Sequence, residues 1–300
     1  FFDEGRPGVV IGRRGWLYTD EEFRICPDTE QQVRANLAAI GRVADLLARR
    51  HVRLVMAVVP AKARVYPEYL GRRRPAPVRN RLYNRLHAML QRRGIPAPDL
   101  YGALSAGRAG GQVFFRTDTH WTPYGAEVAA HAVAGTILGR HLLPPGDQRY
   151  VTARSAPRPH AGDLLSYLPL DPWCSFLLPP VDTLVPRKTW LSTDREEDLL
   201  LAGPEPVVMA LVGTSYSADP RWDFAGSLRR ELGRDLVNWA EKGEGPIAPM
   251  LRYLASDEFT AATPQLVLWE YPERYLPLPP ESGGRSQGAE PGSELPVPYR

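Results

Sequence analysis

Two kinds of apolar pattern alternate along this chain. In some stretches apolar residues recur every three or four positions, as on one side of a helix. These stretches lie at 29–49, 77–93, 123–138, 221–232 and 246–255. Short runs rich in apolar residues, typical of buried strands, lie at 54–59, 207–212, 235–239 and 265–270. The alternation predicts an α/β fold with a mostly parallel central sheet covered by helices on both faces.

Two regions depart from this alternation. Residues 140–205 contain many prolines and aromatic residues but little periodicity, which predicts a long irregular insert with room for a few short strands. From Pro277 onward the chain is rich in Pro, Gly, Ser and charged residues, which predicts a disordered tail over 277–300. We therefore expect one domain at residues 1–276, interrupted by the insert. A further short strand is expected near 95–100.

Composition and charge exclude few classes of protein. No run of eighteen apolar residues occurs, so no membrane-spanning helix is predicted. The net charge of +3 is too small to indicate nucleic-acid binding, although it would suit an acidic substrate. The chain starts without Met and without a charged-then-apolar leader, so we expect a signal or an anchor to precede it.

The two cysteines, Cys26 and Cys174, both lie in Pro-rich, irregular segments. They could be two unrelated thiols. They could instead form one disulfide that pins the insert to the N-terminal segment, which would imply an oxidising compartment. Mass spectrometry without reductant separates these two possibilities.

An acid and a base lie two residues apart in Thr117-Asp118-Thr119-His120-Trp121. In an extended chain, side chains at this spacing project to the same side, roughly 6.5 to 7 Å apart. The carboxylate of Asp118 could then bind the near nitrogen of His120 and fix its tautomer, which leaves the far nitrogen free to take a proton. The neighbouring Trp121 could shield the pair from water.

A serine follows the apolar run 207–212 in Gly213-Thr214-Ser215-Tyr216. The glycine permits a sharp turn, and the carboxyl ends of parallel strands are where ligands bind in open α/β sheets. The helix that follows would offer free backbone N–H groups to an oxyanion. Together with Asp118 and His120, Ser215 would complete a serine acyl-transfer site in the chain order Asp, His, Ser.

Simpler interpretations of these segments remain open. Ser215 could cap a helix, and Asp118 could cap the helix that follows it. A metal site is a third alternative, in which Asp118 and His120 would be joined by His160 and Asp163, but this spacing matches no common metal motif. Lys62, just beyond the first strand, could make a polar contact or simply pack in the core.

With these residues assembled, the chain resembles the alginate O-acetyltransferases of the AlgJ and AlgX type, which are relatives of the SGNH hydrolases. The two motifs above carry most of the resemblance, which covers roughly residues 9–276. Supporting motifs lie at 12–18, 59–62, 162–164 and 269–274. The resemblance implies an SGNH-like α/β/α sandwich in which the Asp-His element precedes the serine, a permuted order relative to ordinary SGNH hydrolases.

The resemblance also implies roles for individual residues. Ser215 would be the nucleophile, His120 the general base and Asp118 the residue that orients the base. Oxyanion donors are expected at Ser215 and at either Gly243 or Gly245. Residues expected to bind the substrate are Arg116, Trp121, Tyr216 and Arg274. The oxyanion asparagine of ordinary SGNH enzymes has no clear match, and Glu270 occupies the corresponding strand end.

The implied activity is transfer of an acetyl group, through an acetyl-serine intermediate, onto hydroxyls of alginate or a similar acidic exopolysaccharide. The resemblance implies no cofactor and no metal. It suggests a periplasmic protein, tethered or secreted, that receives acetyl groups from a membrane-bound O-acyltransferase. Two alternatives remain: an acetylesterase that uses the same residues with water as the acceptor, and a non-catalytic polysaccharide-binding scaffold.

Overall fold

The first half of the chain contributes a hairpin, most of the helices and one strand of the central sheet. The computed structural model describes residues 8–168, 177–192 and 207–279. Up to residue 139 the elements are β1 (Val9–Ile11), β2 (Leu17–Thr19), α1 (Thr29–Arg49), β3 (Arg53–Val59), α2 (Lys62–Val65), α3 (Pro77–Asn80), α4 (Leu82–Arg92), α5 (Leu100–Gly107) and α6 (Pro123–Gly139). The helix predicted at 29–49 is confirmed, and the one predicted at 77–93 is divided into α3 and α4.

The second half adds two small antiparallel pairs and the rest of the central sheet. Its elements are β4 (Tyr150–Arg154), β5 (Arg158–His160), β6 (Asp182–Leu184), β7 (Arg187–Leu191), β8 (Met209–Val212), α7 (Ser215–Ala218), α8 (Phe224–Leu232), β9 (Val237–Asn238), α9 (Ile247–Ala255), α10 (Asp257–Ala261) and β10 (Leu266–Pro272). Short 3₁₀ turns lie at Asp20–Glu22, Pro67–Tyr69, Asp163–Tyr167 and Glu273–Tyr275. Within the region predicted as an insert, β4 pairs with β7 and β5 pairs with β6.

The central sheet has four parallel strands in the order β3, β10, β8, β9. Alternate side chains of β3 enter two different cores, as the period of a strand requires. Val55, Ala57 and Val59 pack with α5, α6 and α8, whereas Leu54, Met56 and Val58 pack with α1, α4, α9 and α10. Helices therefore cover both faces, which confirms the predicted α/β/α architecture with a mostly parallel sheet.

Some local predictions differ from the structure. The short strand expected at 95–100 is wrong, because Asp99 accepts a hydrogen bond from the amide of Gly102 and starts α5 at Leu100. Strand β9 has only two residues, both exposed at the edge of the sheet. Among the described residues, no helix is both long and apolar enough to cross a lipid bilayer.

Two predictions concern residues that the structure does not describe. The predicted tail falls almost entirely on residues 280–300, which lie outside the described ranges. Cys174 also lies outside them, while Cys26 is half-buried and bonded to no cysteine within the described residues. The pairing of the two cysteines stays a prediction.

Candidate active site

Ser215 is the first residue of α7, on the turn that leaves β8. The preceding Gly213 is required by packing rather than by an unusual backbone angle, because a Cβ at this position would lie 2.5 Å from Oε2 of Glu270. Thr214 caps the helix. This turn presents Ser215 at the carboxyl end of a central strand, half-buried.

Asp118 and His120 lie on a tight loop rather than in the extended segment that the sequence suggested. Phe114 and Trp121 form an isolated antiparallel bridge, and the residues between them reverse direction. Oδ1 of Asp118 lies 2.7 Å from Nδ1 of His120 and also accepts the backbone amide of His120 at 2.9 Å. Nε2 of His120 lies 2.6 Å from Oγ of Ser215. The three residues therefore form a continuous hydrogen-bonded chain.

The second carboxylate oxygen of Asp118 is also occupied. It accepts from Nε2 of His160 at 2.8 Å and from the amide of Asp163 at 3.3 Å. Burial by itself raises the pKa of Asp118, but the facing His120 and these hydrogen bonds outweigh burial and hold the pKa well below its usual range. Asp118 is thus a carboxylate at neutral pH. It favours the tautomer of His120 with the proton on Nδ1, which leaves Nε2 free to accept the proton of Ser215.

The loop that carries Asp118 is held by side chains from distant parts of the chain. The ammonium of Lys62, which is buried, donates to the backbone carbonyls of Phe115, Arg116 and Asp118 at 3.1, 3.3 and 2.7 Å. Oδ2 of Asp182, on β6, accepts from the amide and the hydroxyl of Thr117 at 2.8 and 2.6 Å. Lys62 therefore makes the polar contact that the sequence left open, and the insert contributes directly to the site.

Three of the residues predicted to bind substrate are buried instead. Trp121 and Tyr216 are almost fully buried, and Arg274 is buried between Glu21 and the hydroxyl of Tyr216. Trp121 donates to the carbonyl of Tyr216, and Tyr216 donates to the carbonyl of Thr119. These side chains cannot reach a polymer at the surface. They join the Asp-His loop to the serine turn from within, a role that their position in sequence did not indicate.

The fourth, Arg116, is partly exposed but already paired. Its Nε donates to Asp182 at 3.0 Å, and its Nη2 donates to the carbonyls of Pro180 and Val181 at 3.2 Å. The Nε–Nη2 edge of Arg116 is therefore occupied, so Arg116 would have to meet a substrate through Nη1.

The two glycines predicted as oxyanion donors lie on the loop after β9. Both have a left-handed backbone, with φ of +79° at Gly243 and +65° at Gly245. The loop adjoins the serine turn, because the amide of Glu241 donates to the carbonyl of Gly213 at 3.1 Å. The oxyanion assignment of Gly243 and Gly245 stays a prediction.

Three supporting residues were given no role from sequence: Asp182, described above, Trp222 and Glu270. The Trp222 ring stacks on the imidazole of His120 with centroids 5.4 Å apart and shields it in the way that was expected of Trp121. Glu270 is fully buried at the end of β10, where it accepts from the amide and hydroxyl of Thr214 and from the hydroxyl of Ser217. Burial raises the pKa of Glu270 to about 6. The sequence signals for Glu270 are its place at a strand end beside β8 and its membership of the motif at 269–274.

One possible metal-ligand atom from each of Asp118, His120 and Asp163 lies within 4.8 Å of the others, so these residues could hold a cation. However, Nδ1 of His120 is already within hydrogen-bonding distance of Asp118, and both oxygens of Asp118 accept from other groups. A cation here would have to break these hydrogen bonds. The geometry therefore favours proton transfer over metal binding.

Comparison with known proteins agrees with this architecture. Residues 9–273 match the family model described as SGNH hydrolase-like domain, acetyltransferase AlgX. The probable alginate O-acetylase AlgJ of Azotobacter vinelandii is 51% identical over 92% of this chain and 72% of that protein. Its counterpart from Pseudomonas putida is 50% identical, with the same coverage.

Solved structures show the same relationship. The O-acetyltransferase domain of Pseudomonas putida AlgJ has a TM-score of 0.84 and 48% identity, and the match covers 91% of this chain and 93% of that domain. Pseudomonas aeruginosa AlgX, at 22% identity over 90% of this chain and 66% of its own, shares the fold with a TM-score of 0.63. The chain therefore belongs to the SGNH hydrolase-like family of AlgX-type acetyltransferases.

Proposed function

We propose that this protein acetylates hydroxyls of alginate or a closely similar acidic polysaccharide, with Ser215 as the nucleophile. The observation that carries the proposal is the 2.6 Å separation between Nε2 of His120 and Oγ of Ser215, at the end of a chain of hydrogen bonds that begins at an ionised Asp118. The names of the relatives, probable alginate O-acetylases, supply the substrate class.

Acetyl transfer would proceed in two balanced steps. In the first, His120 takes the proton of Ser215 as Oγ attacks the carbonyl carbon of the acetyl donor. The donor's leaving group departs with that proton, and the acetyl group is now an ester of Ser215. In the second, His120 takes the proton of a sugar hydroxyl, whose oxygen attacks the acetyl-serine carbonyl. Ser215 then leaves and recovers its proton from His120.

The oxyanion of each step requires hydrogen-bond donors. The backbone amide of Ser215, at the start of α7, is one candidate, and the loop that carries Gly243 and Gly245 lies beside it. A membrane-bound O-acyltransferase that delivers acetyl groups to the periplasm is the donor partner we infer from the family relationship.

The nucleophile is tested by Ser215→Ala. We expect this variant to lose acetyl release from an aryl acetate and to lose the acetylated Ser215 peptide that mass spectrometry should detect in wild type. Ser105→Ala is the matched control, because Ser105 on α5 is half-buried like Ser215. This control should retain esterase activity and the acetylated Ser215 peptide. Turnover that survives in Ser215→Ala would contradict the assignment.

The reaction product distinguishes acetyl transfer from hydrolysis of the acetyl donor. An aryl acetate is incubated with a uronate oligosaccharide, and the oligosaccharide is then examined by mass spectrometry. Acetylated oligosaccharide supports a transferase. Free acetate alone, with no acetylated sugar, would instead indicate the acetylesterase. If wild type formed neither acetylated oligosaccharide nor free acetate, the remaining hypothesis would be a non-catalytic polysaccharide-binding scaffold.

A further inference from the structure

Two exposed cations share one buried carboxylate just beyond the serine turn. Asp219 follows α7 and its side chain is only 4% exposed, whereas Arg221 is 45% and Lys242 53% exposed. Nη2 of Arg221 lies 2.6 Å and Nζ of Lys242 lies 2.9 Å from Oδ2 of Asp219. Arg221 and Lys242 are called the Asp219 cation pair below.

The cation pair flanks both halves of the catalytic site. The guanidinium of Arg221 lies 4.6 Å from the centre of the Trp222 ring, which in turn stacks on His120. Lys242 lies on the loop after β9, next to Glu241, whose amide bonds to the carbonyl of Gly213. A sugar hydroxyl placed at His120 would therefore bring the rest of its residue, or the adjacent residue, close to these two cations.

The pair retains hydrogen-bonding capacity for a ligand. Asp219 engages the backbone amide, Nε and Nη2 of Arg221 and one N–H of Lys242. Among the described residues, nothing accepts from Nη1 of Arg221 or from the other N–H groups of Lys242. The hydrogen bonds from Arg221 and Lys242 lower the pKa of Asp219 to about 2 against the effect of its burial, so the carboxylate stays ionised. Two cations and one anion leave one net positive charge.

The catalytic side of the site is negative, so an anionic acceptor needs such a charge. Asp118 and Asp163 both lie beside His120. Arg274 is buried, and the side chain of Arg116 is only 26% exposed with its charge balanced by Asp182. Arg221 and Lys242 are more exposed than either of these two arginines. Arg221 is near enough to Asp118 and Asp163 that both carboxylates favour its charged form.

We propose that the Asp219 cation pair binds the carboxylate of an acidic sugar in the acceptor and so makes the site prefer a uronate over a neutral sugar. Asp219 occupies the Nε–Nη2 edge of Arg221, so Nη1 would donate to the sugar carboxylate. Lys242 adds a second charge. Asp219 holds both cations in position before the ligand arrives, which lowers the entropy cost of binding. This inference rests on the proposed function and names the residues that recognise its substrate class.

The test is a binding titration with a uronate oligosaccharide and with the same oligosaccharide after reduction of its carboxyl groups. The titrations use Ser215→Ala protein, so that no turnover interferes. We expect the uronate to bind more tightly than its reduced form and to lose affinity as salt is added. Arg221→Gln and Lys242→Gln should each raise the Kd for the uronate by about tenfold, which corresponds to about 1.4 kcal/mol, and reduce the discrimination between the two ligands.

The controls separate this inference from folding and from the proposed chemistry. Arg93→Gln removes an arginine of similar exposure, 42%, that is paired with Asp45 far from the site, and it should leave the uronate affinity unchanged. Lys242→Gln keeps the Arg221–Asp219 pair intact, so a folding defect in Arg221→Gln would not obscure the result. Equal affinity for both oligosaccharides, no binding, or unchanged affinity in both variants would overturn the inference. The proposed catalytic chemistry is tested separately, by measuring ester turnover in Ser215→Ala.

Discussion

The loop that carries the proposed general base and the turn that carries the proposed nucleophile are held in place differently. The base loop, residues 117–121, is bonded by Lys62, His160, Asp163 and Asp182, which come from α2 and from the insert. The nucleophile turn, residues 213–217, is bonded by Glu270 on the adjacent strand and by Trp121, Asn238 and Arg274.

The difference follows from what precedes each segment. The nucleophile turn continues β8, which is paired on both sides in the sheet, so its start is already positioned by backbone hydrogen bonds. The base loop belongs to none of the four central strands and is closed only by the Phe114–Trp121 bridge. A loop without ladder hydrogen bonds needs other partners for its buried polar groups. We infer that the base loop depends mainly on polar side chains, whereas the nucleophile turn is positioned first by the paired strand that precedes it.

The largest expected effect is a loss of activity when Asp118, on the base loop, is replaced. Asp118→Asn replaces a carboxylate by an amide that can donate to Nδ1 of His120, which would stabilise the tautomer unable to accept the serine proton. We expect kcat for an aryl acetate to fall by about 10⁴-fold, the size seen when a triad aspartate is replaced in this way. Steady-state kinetics checks this.

The control for this variant is the exposed Asp147→Asn, which should keep wild-type kcat. Thermal unfolding of both variants, followed by circular dichroism, shows whether the fold is retained. A loss smaller than about tenfold in correctly folded Asp118→Asn would mean that the carboxylate does not set the tautomer.

A smaller effect is expected from removing the base loop's support. Lys62→Met keeps an unbranched side chain of similar reach but leaves the carbonyls of Phe115, Arg116 and Asp118 without their shared donor. Buried acceptors without a donor are costly, so we expect the free energy of unfolding to fall by about 3 kcal/mol. Urea unfolding measures the change. Lys188→Met, the same substitution at an exposed position, should change it by less than about 0.5 kcal/mol. Equal effects at the two positions would refute the supporting role.

The smallest effect is expected at the nucleophile turn and concerns pH. Burial raises the pKa of Glu270 to about 6, from 4.5. The folded state therefore keeps a proton on Glu270 that the unfolded state releases, so this group favours folding most below pH 4.5 and loses that contribution as the pH rises through 6. Relative to Glu270→Gln, wild type should lose about 2 kcal/mol of unfolding free energy between about pH 4 and pH 7.

Urea unfolding at a series of pH values measures the difference between wild type and Glu270→Gln. The exposed Glu258→Gln, on α10, provides the same substitution without burial and should run parallel to wild type. If the Glu270→Gln curve also ran parallel to wild type, Glu270 would not be the buried titrating group that supports this turn.

The apolar pattern was sufficient for most of the fold. The continuous runs at 54–59 and 207–212 coincide, within two residues at each end, with the buried strands β3 and β8, because a strand covered on both faces needs no polar alternation. The spacing of apolar residues located α1 to the residue. The strand wrongly expected at 95–100 shows the limit of this signal, since a single capping side chain, Asp99, decided in favour of a helix.

The three candidate catalytic residues could be predicted from the sequence, because each lies in a short motif whose chemistry is local. Asp118 and His120 are two positions apart, and Ser215 directly follows a strand and a tight turn. Only the tertiary structure decided what surrounds them. It buried Trp121, Tyr216 and Arg274, and it brought Lys62, His160 and Glu270 to the site. A local sequence pattern does not determine where a side chain in a loop points or which distant residues it contacts. Both depend on how the helices and strands pack against one another.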